Sequence, residues 1–197
     1  FNAPFTAWDE VSSTVSFSDA PNGMPFFYVW NTLLTHESRI WERSNKPLTV
    51  SPQDVIIPSY FADIPEVRKD IARKYSNIEA MYKKVGELMN QLESDGLLEN
   101  TIIMFWSDHG GNLLRQKRAV GNSGLNVPLI IRYPDKKNAV KVDDRIVSLM
   151  DLGPTVLSFL NIKPPNHYDG KAIAGRYEQE PRTVSYTHLR AHETIQD

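Results

Sequence analysis

The sequence predicts an α/β layered domain in which a mostly parallel sheet is sandwiched by helices. Three observations carry that expectation. TIIMFW (101–106) and VPLIIRY (127–133) are near-continuous apolar runs, the pattern of strands covered on both faces. Ile71, Ile78, Met81, Val85, Leu88 and Leu92 recur at spacings of three, four and seven, which is one stripe of a long helix. The order strand, long helix, strand, strand, helix is that of layered α/β domains.

The elements follow in chain order. Residues 1–25 carry Pro4, Pro21, Gly23 and Pro25 and read as loop. Phe26 to Asn31 (FFYVWN) is a short aromatic and β-branched run, read as a buried strand. Residues 43–62 contain Pro47, Pro52 and Pro58 and form an irregular excursion. At Asp63-Ile64-Pro65-Glu66 a helix begins. Asp63 is placed to cap, Glu66 follows three residues later, and Pro65 suits a first turn. Gly96 is placed to end it. After the two apolar strands, Arg145 to Met150 reads as a further short strand. Asp151-Leu152-Gly153-Pro154-Thr155 opens a second helix through Leu160.

Composition narrows the function. The chain has 197 residues, enough for a real core, and a formal net charge of -2, which argues against a nucleic-acid partner. No apolar run approaches the roughly 18 residues of a membrane span. There is no cysteine, hence no disulfide framework and no thiolate chemistry in this chain. Phe1 stands where a start methionine would, so the chain reads as a piece of something longer. VSYTHLRAHET (184–194) reads as the in-frame translation of a transposase sequencing adapter. Residues 184–197, with His188 and His192, are therefore set aside as an artefact, and residues 1–183 are the part to interpret.

Chemistry concentrates where the first apolar strand ends. Asp108 and His109 follow it directly, then Gly110 and Gly111, then Arg115, Lys117 and Arg118. Functional groups of open α/β sheets gather beyond the carboxyl ends of strands, and His36 lies at such an end too. Asp108 offers hard oxygens and His109 a nitrogen, which fits half of a divalent-metal site. A carboxylate capping the turn explains Asp108 equally well. A metal together with a lysine is what a bound tetrahedral oxyanion needs, because its charge must be met without water.

On these stretches the chain resembles the sulfatase family of the alkaline phosphatase superfamily. The resemblance rests on PFFYVWNTLLTHESRIW (25–41), DIPEVRKDIARKYSNI (63–78), VGELMNQLESDGLLENTIIMFWSDHGG (85–111), RQKR (115–118), SGLNVPLIIRYP (123–134), VSLMDLGPTVLSFLNI (147–162) and YDGKAIAG (168–175). It implies an alkaline-phosphatase-like fold, of which this chain is an incomplete fragment, the later part of the catalytic domain. It implies that Asp108 and His109 are metal ligands, with Ca2+ as the expected ion. It implies that Lys117 contacts the sulfate group and that His36 lies near the leaving-group oxygen as a general acid. His167 receives no role. The nucleophile, a formylglycine made from a Cys or Ser, is expected upstream, since no Cys and no Ser-x-Pro/Ala-x-Arg occurs here. One departure is Gly121-Asn122-Ser123-Gly124, where relatives tend to have Tyr-Asp-Ser-Gly. The implied activity is removal of sulfate from a sulfated glycan or similar small ester, in the periplasm or outside the cell. Two other readings stay open on these residues. One is a phosphodiesterase or phosphonate hydrolase of the same superfamily. The other is a non-catalytic relative that binds sulfated glycans.

Overall fold

The long helix expected from the apolar stripe runs from Pro65 to Ser94 (α2), preceded by a short helix over Arg39–Glu42 (α1). The computed structural model describes residues 7–21, 23–136 and 139–184. Most of the adapter-like tail and the first residues of the N-terminal loop therefore lie outside the described residues. The chain divides into two compact units, 1–137 and 138–197.

In the first unit α2 starts with Pro at its first position, as the sequence suggests, but Asp63 does not cap it. Arg68 takes the Asp63 carboxylate instead, through Nε at 2.5 Å and a terminal nitrogen at 2.8 Å. A charge-assisted fork outcompetes a single N-cap bond. The helix ends at Gly96, with φ of +70°, a left-handed conformation that favours glycine. The Leu97 amide reaches the Leu92 carbonyl at 2.8 Å and the Gly96 amide that of Glu93 at 3.0 Å, the paired bonds of a Schellman ending.

Of the stripe, Ile71, Met81 and Leu92 are buried and Ile78, Val85 and Leu88 half-buried. Val55, Ile71 and Ala72 form a small core, flanked by Leu48, Val50, Ile57, Phe61, Val67 and Leu113. The excursion at 43–62 thus folds onto the N-terminal half of α2. Polar residues of α2 hold it there. Arg73 donates to the carbonyls of Lys46 and Pro47, and Ser76 Oγ accepts from the amides of Thr49 (3.1 Å) and Val50 (3.2 Å). Asn77, fully buried, accepts from Arg43 Nε at 2.8 Å and donates to the Arg39 carbonyl at 3.3 Å.

Ile103–Trp106 (β1) and Leu129–Arg132 (β2) are strands, with a four-residue helix, Asn122–Leu125 (α3), between them. They pair antiparallel, in the register Ile103↔Arg132 to Trp106↔Leu129. This corrects the parallel expectation for these two strands. The connection over 107–128 is irregular apart from the four-residue α3 and lacks the longer helix that usually carries a parallel crossover. Nor are the two strands covered on both faces: Trp106 and Ile130 are exposed, their other residues are half-buried, and Phe105 meets Tyr82 of α2, ring centroids 6.2 Å apart.

The run from Phe26 to Asn31 forms no strand among the described residues. It keeps a strand's alternation, with Phe27 and Val29 exposed and Phe26, Tyr28 and Trp30 half-buried, but has no ladder partner. Phe17 packs against Phe26 (5.9 Å) and Tyr28 (5.5 Å) instead.

In the second unit the strand expected over Arg145 to Met150 reduces to one antiparallel bridge, Ile146↔Arg182. Ser148 turns the chain away. Its hydroxyl accepts from the Met150 amide while Asp151 accepts from the Ser148 amide, a capping box that starts a 3-10 turn at Leu149–Asp151. The expected helix follows over Leu152–Phe159 (α4).

Asp151 is completely buried. Its oxygens accept from the amides of Ser148 (2.8 Å) and Lys171 (2.7 Å) and from the Arg182 guanidinium (2.7 Å). Burial opposes its ionisation, but Arg182 and the two amides outweigh that and hold the carboxyl below its ordinary range. Its stabilising effect is therefore present above the unfolded value near 3.9 and lost as pH falls through the lower folded value. In the full-length protein Asp151→Ala should cost about 3 kcal/mol, because it removes the acceptor of the Ser148 and Lys171 amides and of the half-buried Arg182 guanidinium together. Urea unfolding would show this as a lower midpoint; an unchanged midpoint would remove Asp151 from the centre of the second unit.

Candidate functional site

The loop leaving β1 brings the first pair of predicted residues together. Asp108 Oδ2 lies 3.6 Å from His109 Nε2. His109 Nδ1 is 2.8 Å from the Gly110 carbonyl, which only accepts, so Nδ1 carries a proton, and in the neutral ring Nε2 presents a lone pair. An anionic oxygen and a lone pair thus face each other, an arrangement suited to a shared cation. The Asp108 side chain is 77% exposed and accepts no backbone amide among the described residues, so it does not cap the turn. Two donors are half of a coordination sphere. Among the described residues no third His, Cys, Asp or Glu joins them, so these two fit a divalent cation whose other ligands lie elsewhere.

Gly110 is needed for close approach. Its amide donates to the Gly124 carbonyl at 2.8 Å, and a side chain there would strike the Ser123 and Gly124 backbone. The loop folds back so that the Lys117 amide reaches the Gly111 carbonyl at 2.8 Å, which fixes Lys117 relative to the Asp108–His109 end.

The second predicted pair also meets. Lys117 Nζ is 3.3 Å from His36 Nε2, across 81 residues of sequence. An ammonium only donates, so this contact asks Nε2 to accept. The Ser38 amide donates to Nδ1 at 3.3 Å and Ser38 Oγ lies 3.2 Å from the same atom, so the two ring nitrogens compete for the role of acceptor. Behind them stands Glu37. Its carboxylate takes both terminal nitrogens of Arg118, at 2.7 and 2.8 Å, and Lys117 Nζ at 3.4 Å. The Arg118 fork, helped by Lys117, pulls the Glu37 carboxyl down to about 2. Asn112 adds a second tie, donating to the Thr35 carbonyl at 3.1 Å. Its Oδ1 is buried and meets no donor among the described residues.

Glu37, Asn112 and Gln116 are functional neighbours that the sequence reading missed. Glu37 was legible in principle, since an acid next to His36 and a base next to Lys117 form a matched pair. Neutral amides carry no such signal.

The sulfatase family model matches residues 9–162. The chain is 36% identical to an ulvan-active sulfatase of Formosa agariphila over 97% of its own length and 38% of the relative's. It is 27% identical to the human N-sulphoglucosamine sulphohydrolase over 76% of this chain and 32% of that one. It is 30% identical to an N-acetylglucosamine-6-O-sulfatase of Bacteroides thetaiotaomicron over 77% of this chain and 32% of the relative. The chain thus spans about a third of the length of these curated relatives.

The Glu37 cluster has a measurable signature. In carboxyl-resolved NMR of the full-length protein, Glu37 should titrate at about 2, and Arg118→Ala should move it up toward the ordinary value near 4.3. A depressed folded value means the stabilisation is complete above the unfolded pKa and fades as pH falls through about 2. Titration near 4 in the unaltered protein would show that the ion pair does not form.

Proposed function

The chain belongs to the sulfatase family, and from that premise we propose that the protein of which it is part hydrolyses sulfate esters of a sulfated carbohydrate. The observation that carries the site reading is the meeting of His36 with Lys117, which stands on the loop that also presents Asp108 and His109. The family match favours sulfur over the phosphodiester alternative, and the names of the three relatives favour a sugar-borne ester. Export to the periplasm or outside the cell belongs to the same proposal. No helix among the described residues is long and apolar enough to cross a membrane.

The family generally uses a divalent metal and a formylglycine. When bound, they supply a Lewis acid and the nucleophile that receives the sulfuryl group. Asp108 and His109 would hold the metal, proposed to be Ca2+, with remaining ligands and formylglycine contributed from outside this chain. Lys117 meets the charge on a sulfate oxygen with its ammonium. As the bond between sulfur and the ester oxygen breaks, the electron pair goes to that oxygen. His36 or Lys117 delivers the proton it needs. Glu37 holds Lys117 beside His36 without neutralising it fully, because Arg118 takes most of its charge.

In the full-length enzyme, Lys117→Ala should lower kcat for a sulfated sugar by about 100-fold or more, the scale of losing one electrostatic stabiliser. His36→Ala should flatten one limb of the pH–rate profile and hurt esters of poor leaving groups most. Asp108→Ala and His109→Ala should each lower bound divalent metal measured by elemental analysis. Wild-type turnover in all four variants would refute the assignment.

A further inference from the structure

Beyond the His36–Lys117 pair, the same loop carries a cation that this mechanism does not use. Arg115 is exposed, and its guanidinium lies over the Tyr60 ring, 5.6 Å from the centroid. Its backbone φ is +60°, a left-handed conformation that costs a non-glycine residue energy and clusters at ligand clamps. Tyr60 is 38% exposed, and its hydroxyl is 3.5 Å from Gln116 Nε2. Gln116 Oε1 in turn receives Lys74 Nζ at 2.9 Å. Lys74 reaches over Gly111, where an added Cβ would lie 2.5 Å from its ammonium. Arg115, Tyr60, Gln116 and Lys74 therefore form a continuous surface that ends two residues from His109.

The charges on this surface are not balanced. Arg115, Lys117, Arg118 and Lys74 converge here, and Glu37 is the one carboxylate bonded to any of them among the described residues. It serves Lys117 and Arg118. Lys74 has a neutral amide for a partner and Arg115 an aromatic ring. Burial pushes the Lys74 ammonium below its ordinary range, as expected where no anion compensates.

We propose that Arg115, seated on Tyr60 and flanked by Gln116 and Lys74, is a subsite for a second anionic group on the carbohydrate, carried by a sugar next to the one bearing the scissile ester. This rests on the sulfate-ester reading above. A guanidinium fork donates to two oxygens of a carboxylate or a sulfate at once, and the cation–π contact with Tyr60 holds it in place before the ligand arrives. The tyrosine hydroxyl and the Gln116 amide are placed for sugar hydroxyls.

The test uses the full-length enzyme and three substrates sharing one scissile ester: a monosaccharide sulfate, an oligosaccharide with a neighbouring uronate, and an oligosaccharide with a neighbouring second sulfate. Arg115→Ala should raise KM about tenfold or more for an oligosaccharide, leave its kcat nearly unchanged, and shift the monosaccharide less than about twofold. Arg115→Lys should restore part of the loss, and added salt should shrink it. The two oligosaccharides show whether carboxylate, sulfate or both are taken. Equal effects on monosaccharide and oligosaccharide, or none on either, would overturn the subsite. Calorimetric binding of a sulfate-free uronate oligosaccharide needs no turnover. If that binding depends on Arg115 while no sulfate ester is hydrolysed, the activity reading fails and the subsite stands.

Discussion

Irregular backbone has to find hydrogen-bond partners, and in this protein the helices provide them from buried polar side chains. An unpaired amide or carbonyl away from water costs about as much as a lost hydrogen bond, so a segment outside helix or sheet needs external donors and acceptors. Arg73, Ser76 and Asn77 of α2 answer residues 39–50 in this way. Asp151, Thr155 and Ser158 answer residues 171–177 likewise, with Thr155 Oγ1 taking the Ile173 amide at 3.1 Å and Ser158 Oγ that of Tyr177 at 2.8 Å. In each unit a helix turns one polar stripe inward, against the usual division of faces. The site inherits this arrangement. His36 and Glu37 lie just before α1, and Asn77 grips α1 through the Arg39 carbonyl and the Arg43 guanidinium.

Once that segment is anchored, electrostatics decide how the loop from 107 to 118 meets it. Two cations in sequence, Lys117 and Arg118, would repel each other and stay hydrated if left alone. Glu37 separates their tasks. Arg118 binds it through a planar fork, the stronger and more directional contact. Lys117 touches it at 3.4 Å, a looser contact that leaves ammonium protons for His36. The Asn112 tie to Thr35 joins the loop and the His36 segment a second time, without any charge. The Asp108–His109 end needs no such brace, since Ser107 Oγ to the His109 carbonyl (2.7 Å) and the Gly110–Gly124 contact set it.

The sequence revealed what depends on periodicity and adjacency. The stripe and Gly96 located α2, the apolar runs located β1 and β2, and the Asp108–His109 neighbourhood needed no tertiary knowledge. What stayed hidden depends on partners distant in sequence. Strand direction was misread because an apolar run carries no information about which strand it pairs with or in what sense. Phe26 to Asn31 has a strand's alternation, but a ladder needs a second strand. Arg145 to Met150 has a strand's composition, yet Ser148 offers the backbone a local alternative that wins. Ser76, Asn77 and Thr155 look like surface residues in one dimension, because their hydroxyls and amide acquire meaning only against the backbone they satisfy. Asp63 shows the opposite failure: a good cap by spacing, diverted by an arginine one turn on.

The backbone of the loop carries a last argument. Arg115 and Arg118 both adopt φ near +60°, with values of 60° and 68°. Left-handed backbone costs a residue with a Cβ about 1 kcal/mol or more relative to glycine. Glycine would suit both positions if only the turn mattered, and the loop uses glycine freely at 110 and 111. Keeping arginine at 115 and 118 therefore trades backbone ease for a guanidinium on either side of Gln116 and Lys117. For Arg118 the return is visible in the Glu37 fork. For Arg115 no carboxylate within the described residues repays the strain. Of the two strained arginines beside Lys117, one is thus explained by an ion pair within the fold and the other by no carboxylate of the described residues.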